Sequence, residues 1–159
     1  MTETRFLTTE ELGEYAADGA DLADRAHALF QQQLDTWPML QRGFATLDSV
    51  VVREIAFPHF SMKVQFNAGR IVSTAAKVDK ESIAERKCFL CQENLPPEQR
   101  GVAAGDYIVL CNPFPIFPEH FTVPHREHIE QRIRSSFVDM LRLTRAMGRR
   151  YSLFYNGPK

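Results

Sequence analysis

Three prolines fall in the seven residues from Asn112 to Pro118, and a fourth follows at Pro124. Proline donates no backbone hydrogen bond, so this stretch cannot run as a central strand or a helix interior. It is an irregular link. Before it lies the short apolar run Tyr107–Cys111, and after it the run His120–Val123, each of strand length. The rest of the chain has to be arranged around that link.

The hydrophobic period changes along the chain. Thr8-Thr9-Glu10-Glu11 has the form of a capping box, with Thr8 as cap and Glu11 reaching back to its amide. It predicts a short helix that stops near Gly19. A second helix is predicted from Ala20, with Leu22, Ala26, Leu29, Phe30, Leu34 and Trp37 on one face and Pro38 as its stop. The middle has period two. Phe60, Met62, Val64 and Phe66 alternate with Ser61, Lys63 and Gln65, the pattern of a half-buried strand. Val50–Phe57 reads as the strand before it, joined through Pro58-His59. Asn67-Ala68-Gly69 reads as a turn into a short strand from Arg70 to Ser73. Residues 79–100 are polar and irregular. A long helix is predicted from Ser135 or Ser136, with Phe137, Met140, Leu141, Thr144 and Met147 on one face. Tyr151–Tyr155 reads as a last strand, before the turn Asn156-Gly157-Pro158. The fold class is α+β, an antiparallel sheet flanked by helices. Residues 1–45 form a helical N-terminal extension and 46–159 an α+β domain, together one compact unit.

Composition narrows the function. The 159 residues suffice for one core. Nineteen Lys and Arg against twenty Asp and Glu leave a net charge of −1, which argues against nucleic-acid binding by charge alone. No run approaches the roughly 20 apolar residues of a membrane helix, and the N-terminus lacks the apolar centre of a secretory signal. Three cysteines, Cys88, Cys91 and Cys111, do not form a secreted disulfide framework. A cytoplasmic location is expected, with no nucleic-acid or membrane partner.

Three groups of residues have chemical potential. Cys88-x-x-Cys91 has the bite for one zinc ion, with His120, His125, His128 and Cys111 as the remaining candidate ligands. Two semi-buried thiols packed near Phe89 and Leu90 are the alternative, slightly favoured on pattern alone. His120, His125 and His128 fall within nine residues, and His125 and His128 read as structural or phosphate-proximal. Arg70, Lys77, Arg86 and Lys87 surround Ser73 and Thr74; arginine forks suit phosphate oxygens, although a solvated face gives the same scatter. Neither the phosphate-loop nor the dinucleotide fingerprint occurs.

The stretch from Tyr107 to His128 resembles the histidine-triad superfamily of nucleotide hydrolases, galactose-1-phosphate uridylyltransferase and dinucleoside polyphosphate phosphorylases. It has a strand, a proline turn, Pro118-Glu119-His120, a second strand ending in Pro124, and a basic, histidine-containing helix start. Arg86-Lys-Cys88-Phe-Leu-Cys91, Asn94-Leu-Pro-Pro-Glu-Gln99 and Asn112-Pro-Phe-Pro-Ile-Phe-Pro-Glu-His120 resemble a bacterial branch of that superfamily, most clearly over residues 66–133. The resemblance implies ribose contact at Asn112, where many members have an acid, and a base pocket of Phe114, Ile116 and Phe117. It implies a structural His120, nucleotide contact at Asn156, and phosphate contacts from Arg70, Ser73 and Lys77.

Two departures follow. The superfamily's nucleophile sits in a His-x-His that comes about ten residues beyond such an Asn-Gly, and the five histidines here form none. The uridylyltransferases complete their Cys-x-x-Cys zinc site with two histidines, which the resemblance places near Asp106–Tyr107 and past Lys159. That leaves Cys88 and Cys91 a half-site. The leading expectation is therefore the N-terminal portion of a nucleotidyltransferase or nucleotide phosphorylase, binding a nucleotide or sugar nucleotide without the catalytic histidine. The alternatives are a complete, non-catalytic nucleotide-binding or assembly module that dimerises, and a structural zinc module built on Cys88 and Cys91.

Overall fold

Asp21 starts the first helix, because its carboxylate accepts a hydrogen bond from the Asp24 amide at 2.9 Å and so satisfies an orphan donor of the first turn. In the computed structural model, which describes residues 5–8, 10–68 and 86–157, α1 runs from Leu22 to Thr36. Trp37 leaves the helical conformation, and Pro38 begins a new helix, α2, Pro38–Ala45. Proline at the first helical position loses no bond, so it both stops one helix and starts the next. The Thr8–Glu11 box forms as expected, with Thr8 N–H donating to the Glu11 carboxylate at 2.8 Å and Glu11 N–H to the Thr8 hydroxyl at 3.2 Å. No helix follows it. Residues 10–15 form successive turns.

Among the described residues, five strands make two sheets. β1, Val51–Ala56, and β2, Ser61–Phe66, form an antiparallel hairpin with Val51 opposite Phe66 and Ile55 opposite Met62. The second sheet has the order β3–β4–β5: Gly101–Ala104, Tyr107–Cys111 and Phe121–Thr122, all antiparallel. The N-terminal segment extends it by a parallel bridge from Phe6 to Gly101. A third helix, α3, spans Ile133–Met147 and ends at Gly148, whose φ of 61° is open to glycine at little cost.

One core joins the helices to the second sheet. Leu22, Ala26, Leu29, Phe30, Trp37 and Leu40 pack with Leu12, Val102, Val109, Cys111 and Met147, with Leu34 and Phe121 at its edge. Burying each large apolar side chain contributes roughly 1.5–3 kcal/mol. Gln33, fully buried, stitches α1 to the start of β3: its carbonyl accepts from Arg100 N–H at 2.8 Å, and its amide donates to the Glu98 carbonyl at 3.3 Å. On the other side of α2, Gly43 lies directly against the Pro113 carbonyl. The proline link is thereby pressed onto a helix.

Three further expectations change. β2 is exposed along its whole length rather than half-buried. The register puts Val51, Ile55, Met62, Val64 and Phe66 on one face with Arg53, and among the described residues nothing covers that face. In α3, Leu143 and Met147 turn inward, whereas Phe137 and Leu141 are 52% and 57% exposed. Residues 151–155 are not a strand, although Tyr151 packs edge-on against Phe121. The expected strand from Arg70 to Ser73 lies outside the described residues. No helix among the described residues is long and apolar enough to cross a membrane.

Candidate functional site

The Cys88–Cys91 turn is built by its backbone. Cys91 N–H donates to the Cys88 carbonyl at 3.3 Å, and the Asn94 side chain donates to the same carbonyl at 2.9 Å. A single 3-10 turn, Gln92–Asn94, carries the chain on to Leu95, which is buried against Ile108 and Leu110. The Arg5 guanidinium donates to the Leu95 and Pro96 carbonyls and pins the base of the loop.

A second segment arrives from β5. Ile108 N–H donates to the Pro124 carbonyl at 3.0 Å and Arg126 N–H to the Asp106 carbonyl at 2.8 Å, so residues 124–126 run along the β3–β4 turn. The Arg126 guanidinium sits over the Phe6 ring, 4.8 Å from its centre, and the Arg126 carbonyl accepts from the Gln92 side chain at 3.4 Å. This path delivers His128 to the cysteine turn. His128 Nδ1 lies 3.1 Å from Cys91 Sγ, and ligand atoms of Cys88, Cys91 and His128 all lie within 4.8 Å of one another.

That donor set fits zinc. A tetrahedral ion with bonds of about 2.3 Å to sulfur and 2.0–2.1 Å to nitrogen holds its sulfur and nitrogen ligands roughly 3.6 Å apart. Two thiolates and an imidazole select zinc over the hard, oxygen-seeking cations. Partial desolvation, then the hydrogen bond with Cys88, raises the Cys91 thiol above its ordinary range, so proton release would accompany metal binding. The half-site expected from the sequence is thus three-cornered. The third corner is His128, one of the candidate ligands read from the sequence. The other candidates go elsewhere. Cys111 is buried, and burial pushes its thiol far up. His125 Nδ1 accepts from the Glu127 amide at 3.0 Å, and His120 Nδ1 lies 3.4 Å from the Ile116 amide.

The proline link is the other candidate. Asn112 bonds within its own loop and to β5: its side-chain oxygen accepts from Phe114 N–H at 2.9 Å, and its amide donates to the Thr122 hydroxyl at 3.3 Å. It shapes the loop from within. Phe114 and Ile116 are half-buried, and Phe117 is 49% exposed. The Gln65 side chain of β2 reaches the Ile116 carbonyl at 3.5 Å, which sets the hairpin beside the loop. Asn156 is tied through its carbonyl to the Gln131 side chain. Arg70, Ser73 and Lys77 lie outside the described residues.

A family model matches residues 29–159, a span that takes in the proline link and all three corners of the cysteine–histidine cluster. The chain belongs to the DUF4922 family, described as a domain of unknown function. No curated protein and no solved structure matches it.

Two residues of the DUF4922 match, Glu119 and Tyr151, also meet His27, just before it, in a polar junction that sequence reasoning missed. Glu119 accepts from the Tyr151 hydroxyl with one oxygen, and its other oxygen lies 2.8 Å from His27 Nδ1. Burial, then this hydrogen bond, holds the tyrosine hydroxyl protonated well beyond its usual range. The junction ties α1, the proline link and the segment after α3 together. Its members are 92 and 32 residues apart, so no local pattern signals it.

Proposed function

We propose that this DUF4922 chain is a nucleoside-phosphate-binding domain of the histidine-triad kind, related to the nucleotidyltransferases and nucleotide phosphorylases, with its cysteine turn braced by zinc. The observation that carries the reading is the meeting of Cys88, Cys91 and His128. The uridylyltransferases that the sequence resembles complete a Cys-x-x-Cys zinc site with histidine, and here a histidine, His128, comes within reach of the two thiols from a different place in the chain than the resemblance gives it. In this reading Phe114, Ile116 and Phe117 present apolar and aromatic surface to a base. Asn112 acts by holding the loop rather than by direct contact, and Arg70, Ser73 and Lys77 meet the phosphates. Bound zinc would supply a structural cross-link. In this reading the residues named here bind the nucleotide, and the superfamily's nucleophilic His-x-His is not among them.

Calorimetric titration with uridine, adenosine and guanosine diphosphates tests the reading, alongside metal analysis. About one zinc per chain is expected, with at least one nucleotide binding at a Kd below about 1 mM, near −4 kcal/mol. Phe117→Ala should weaken that binding by about tenfold, the loss of roughly 1.4 kcal/mol of stacking. Absence of heat or thermal shift with every nucleotide at several millimolar would overturn it.

A second reading is an assembly module. It is favoured by the uncovered apolar face of the β1–β2 hairpin, because an isolated two-stranded hairpin is marginal in water. A concentration-dependent dimer without nucleotide binding would select this reading.

A further inference from the structure

We infer that Cys88 and Cys91 form an oxidant-sensitive dithiol, whose conversion to a disulfide ejects the metal and unties residues 125–132 from the cysteine turn. The inference rests on the zinc reading above and adds a control to that site. Both thiols are only half-buried and open to a small oxidant, whereas Cys111 is sealed in the core. The Cys88–Cys91 backbone closes as a reverse turn. Such turns bring their end Cα atoms within about 7 Å, and disulfides span about 4.4–6.8 Å. The two sulfurs already share a cluster no wider than 4.8 Å.

The chemistry balances with a peroxide as oxidant. One thiolate attacks a peroxide oxygen; the sulfur–oxygen bond forms, the oxygen–oxygen bond breaks, and hydroxide leaves. The second thiolate attacks the resulting sulfenic sulfur and expels hydroxide, which closes the disulfide. Two electrons pass from the sulfurs to the peroxide, two protons from solvent yield two waters, and Zn²⁺ departs because a disulfide is no longer a thiolate ligand.

The structural consequence follows from what remains. Once a disulfide has taken both the metal and the Cys91 thiol that meets His128 at 3.1 Å, the link that remains between the turn and the 125–132 segment among the described residues is the Gln92–Arg126 bond at 3.4 Å, backed by the Arg126–Asp106 backbone bond. Residues 126–132 are exposed, and α3 begins after Arg132 with no side-chain cap. Release at His128 should therefore spread into the first turn of α3.

The test uses the full zinc-loaded chain titrated with hydrogen peroxide. Zinc release is read with a chelating dye, free thiols are counted, and amide exchange is followed by mass spectrometry. One zinc should leave as two thiols disappear, exchange over residues 125–136 should rise about tenfold, and dithiothreitol with added zinc should reverse all three. Cys111→Ser should behave as the native chain, whereas Cys88→Ser should form no 88–91 cross-link. Zinc that stays bound through oxidation, or exchange that does not change on release, would overturn the inference while leaving the zinc reading intact. A reduced chain that takes up no zinc before oxidant is added would overturn both at that earlier step.

Discussion

Gly43→Ala sets two effects of opposite sign against each other. On an isolated helix alanine is better than glycine by about 1 kcal/mol, so propensity alone makes this substitution stabilising. In place, the new Cβ would stand 1.9 Å from the Pro113 carbonyl oxygen and 2.9 Å from its carbon. The shorter contact falls about 1.1 Å inside the 3.0 Å limit that real Cβ atoms keep. Both atoms are backbone, so no side chain can swing aside. Either α2 or the proline link must shift, and Pro115, only 3.3 Å from the same position and buried, must shift too. Overpacking against a fixed neighbour costs about 3 kcal/mol, the upper end of its usual range. The net is a loss of about 2 kcal/mol, which for a chain of this length lowers Tm by about 4–8 °C. Thermal and urea unfolding followed by Trp37 fluorescence would measure it, since buried Trp37 is the residue that precedes α2. A Tm equal to or above that of the native chain would refute the close packing of α2 on the proline link.

Other perturbations test other parts. Removing zinc with a strong chelator, or Cys91→Ser, should lower Tm by several degrees, and the chelator effect should vanish in Cys91→Ser. Gln33→Leu should cost about 2–3 kcal/mol in denaturant unfolding, because Arg100 N–H and the Glu98 carbonyl lose their partner in the interior. Tyr151→Phe should cost about 1 kcal/mol at neutral pH. The hydroxyl is raised in the folded chain, so its contribution is complete below the unfolded value near pH 10 and lost as pH climbs above it; the unfolding curves of the native chain and the Tyr151→Phe variant should converge in alkali. The Glu11 carboxyl is lowered by the Thr8 backbone amide and then by its hydroxyl. The gain from the capping box is thus present above the ordinary glutamate range and lost as pH falls through it, an effect that Glu11→Gln should abolish in acid titrations and that Thr8→Ala, which keeps the backbone donor, should only reduce.

Much of the fold was legible where local chemistry decides it. Pro38 and the alternation of β2 are local signals, and each produced the expected boundary or element; Asp21 is a local signal too, and as the cap it sets the start of α1 at Leu22 rather than the expected Ala20. What covers a face is not local. β2 alternates as a half-buried strand does, yet alternation only sorts side chains to faces, and no described element lies over the apolar one. In α3 two apolar stripes compete, and the packing of Leu143 and Met147 on the core decides between them. β3, with Gly101 and two alanines among its four residues, has little intrinsic strand character and depends on its pairing with β4. The candidate site shows the same division. Cys-x-x-Cys announces itself, but His128 lies 37 residues beyond Cys91, and only the run of residues 124–126 along the β3–β4 turn brings it back.

The shared core of α1 and β4 also has a consequence in time. Leu29 leaves the ribosome eighty residues before Val109, the strand residue that shares its core cluster. At 5–20 residues per second that interval is about 4–16 s. Through it, the face of Leu22, Ala26, Leu29 and Phe30 has no sheet to bury against. The Phe6–Gly101 bridge waits longer still, since its partners lie further apart in the chain. The first third of this chain is therefore synthesised well before it can fold, and its early life is that of a client for whatever shields apolar surface on nascent chains.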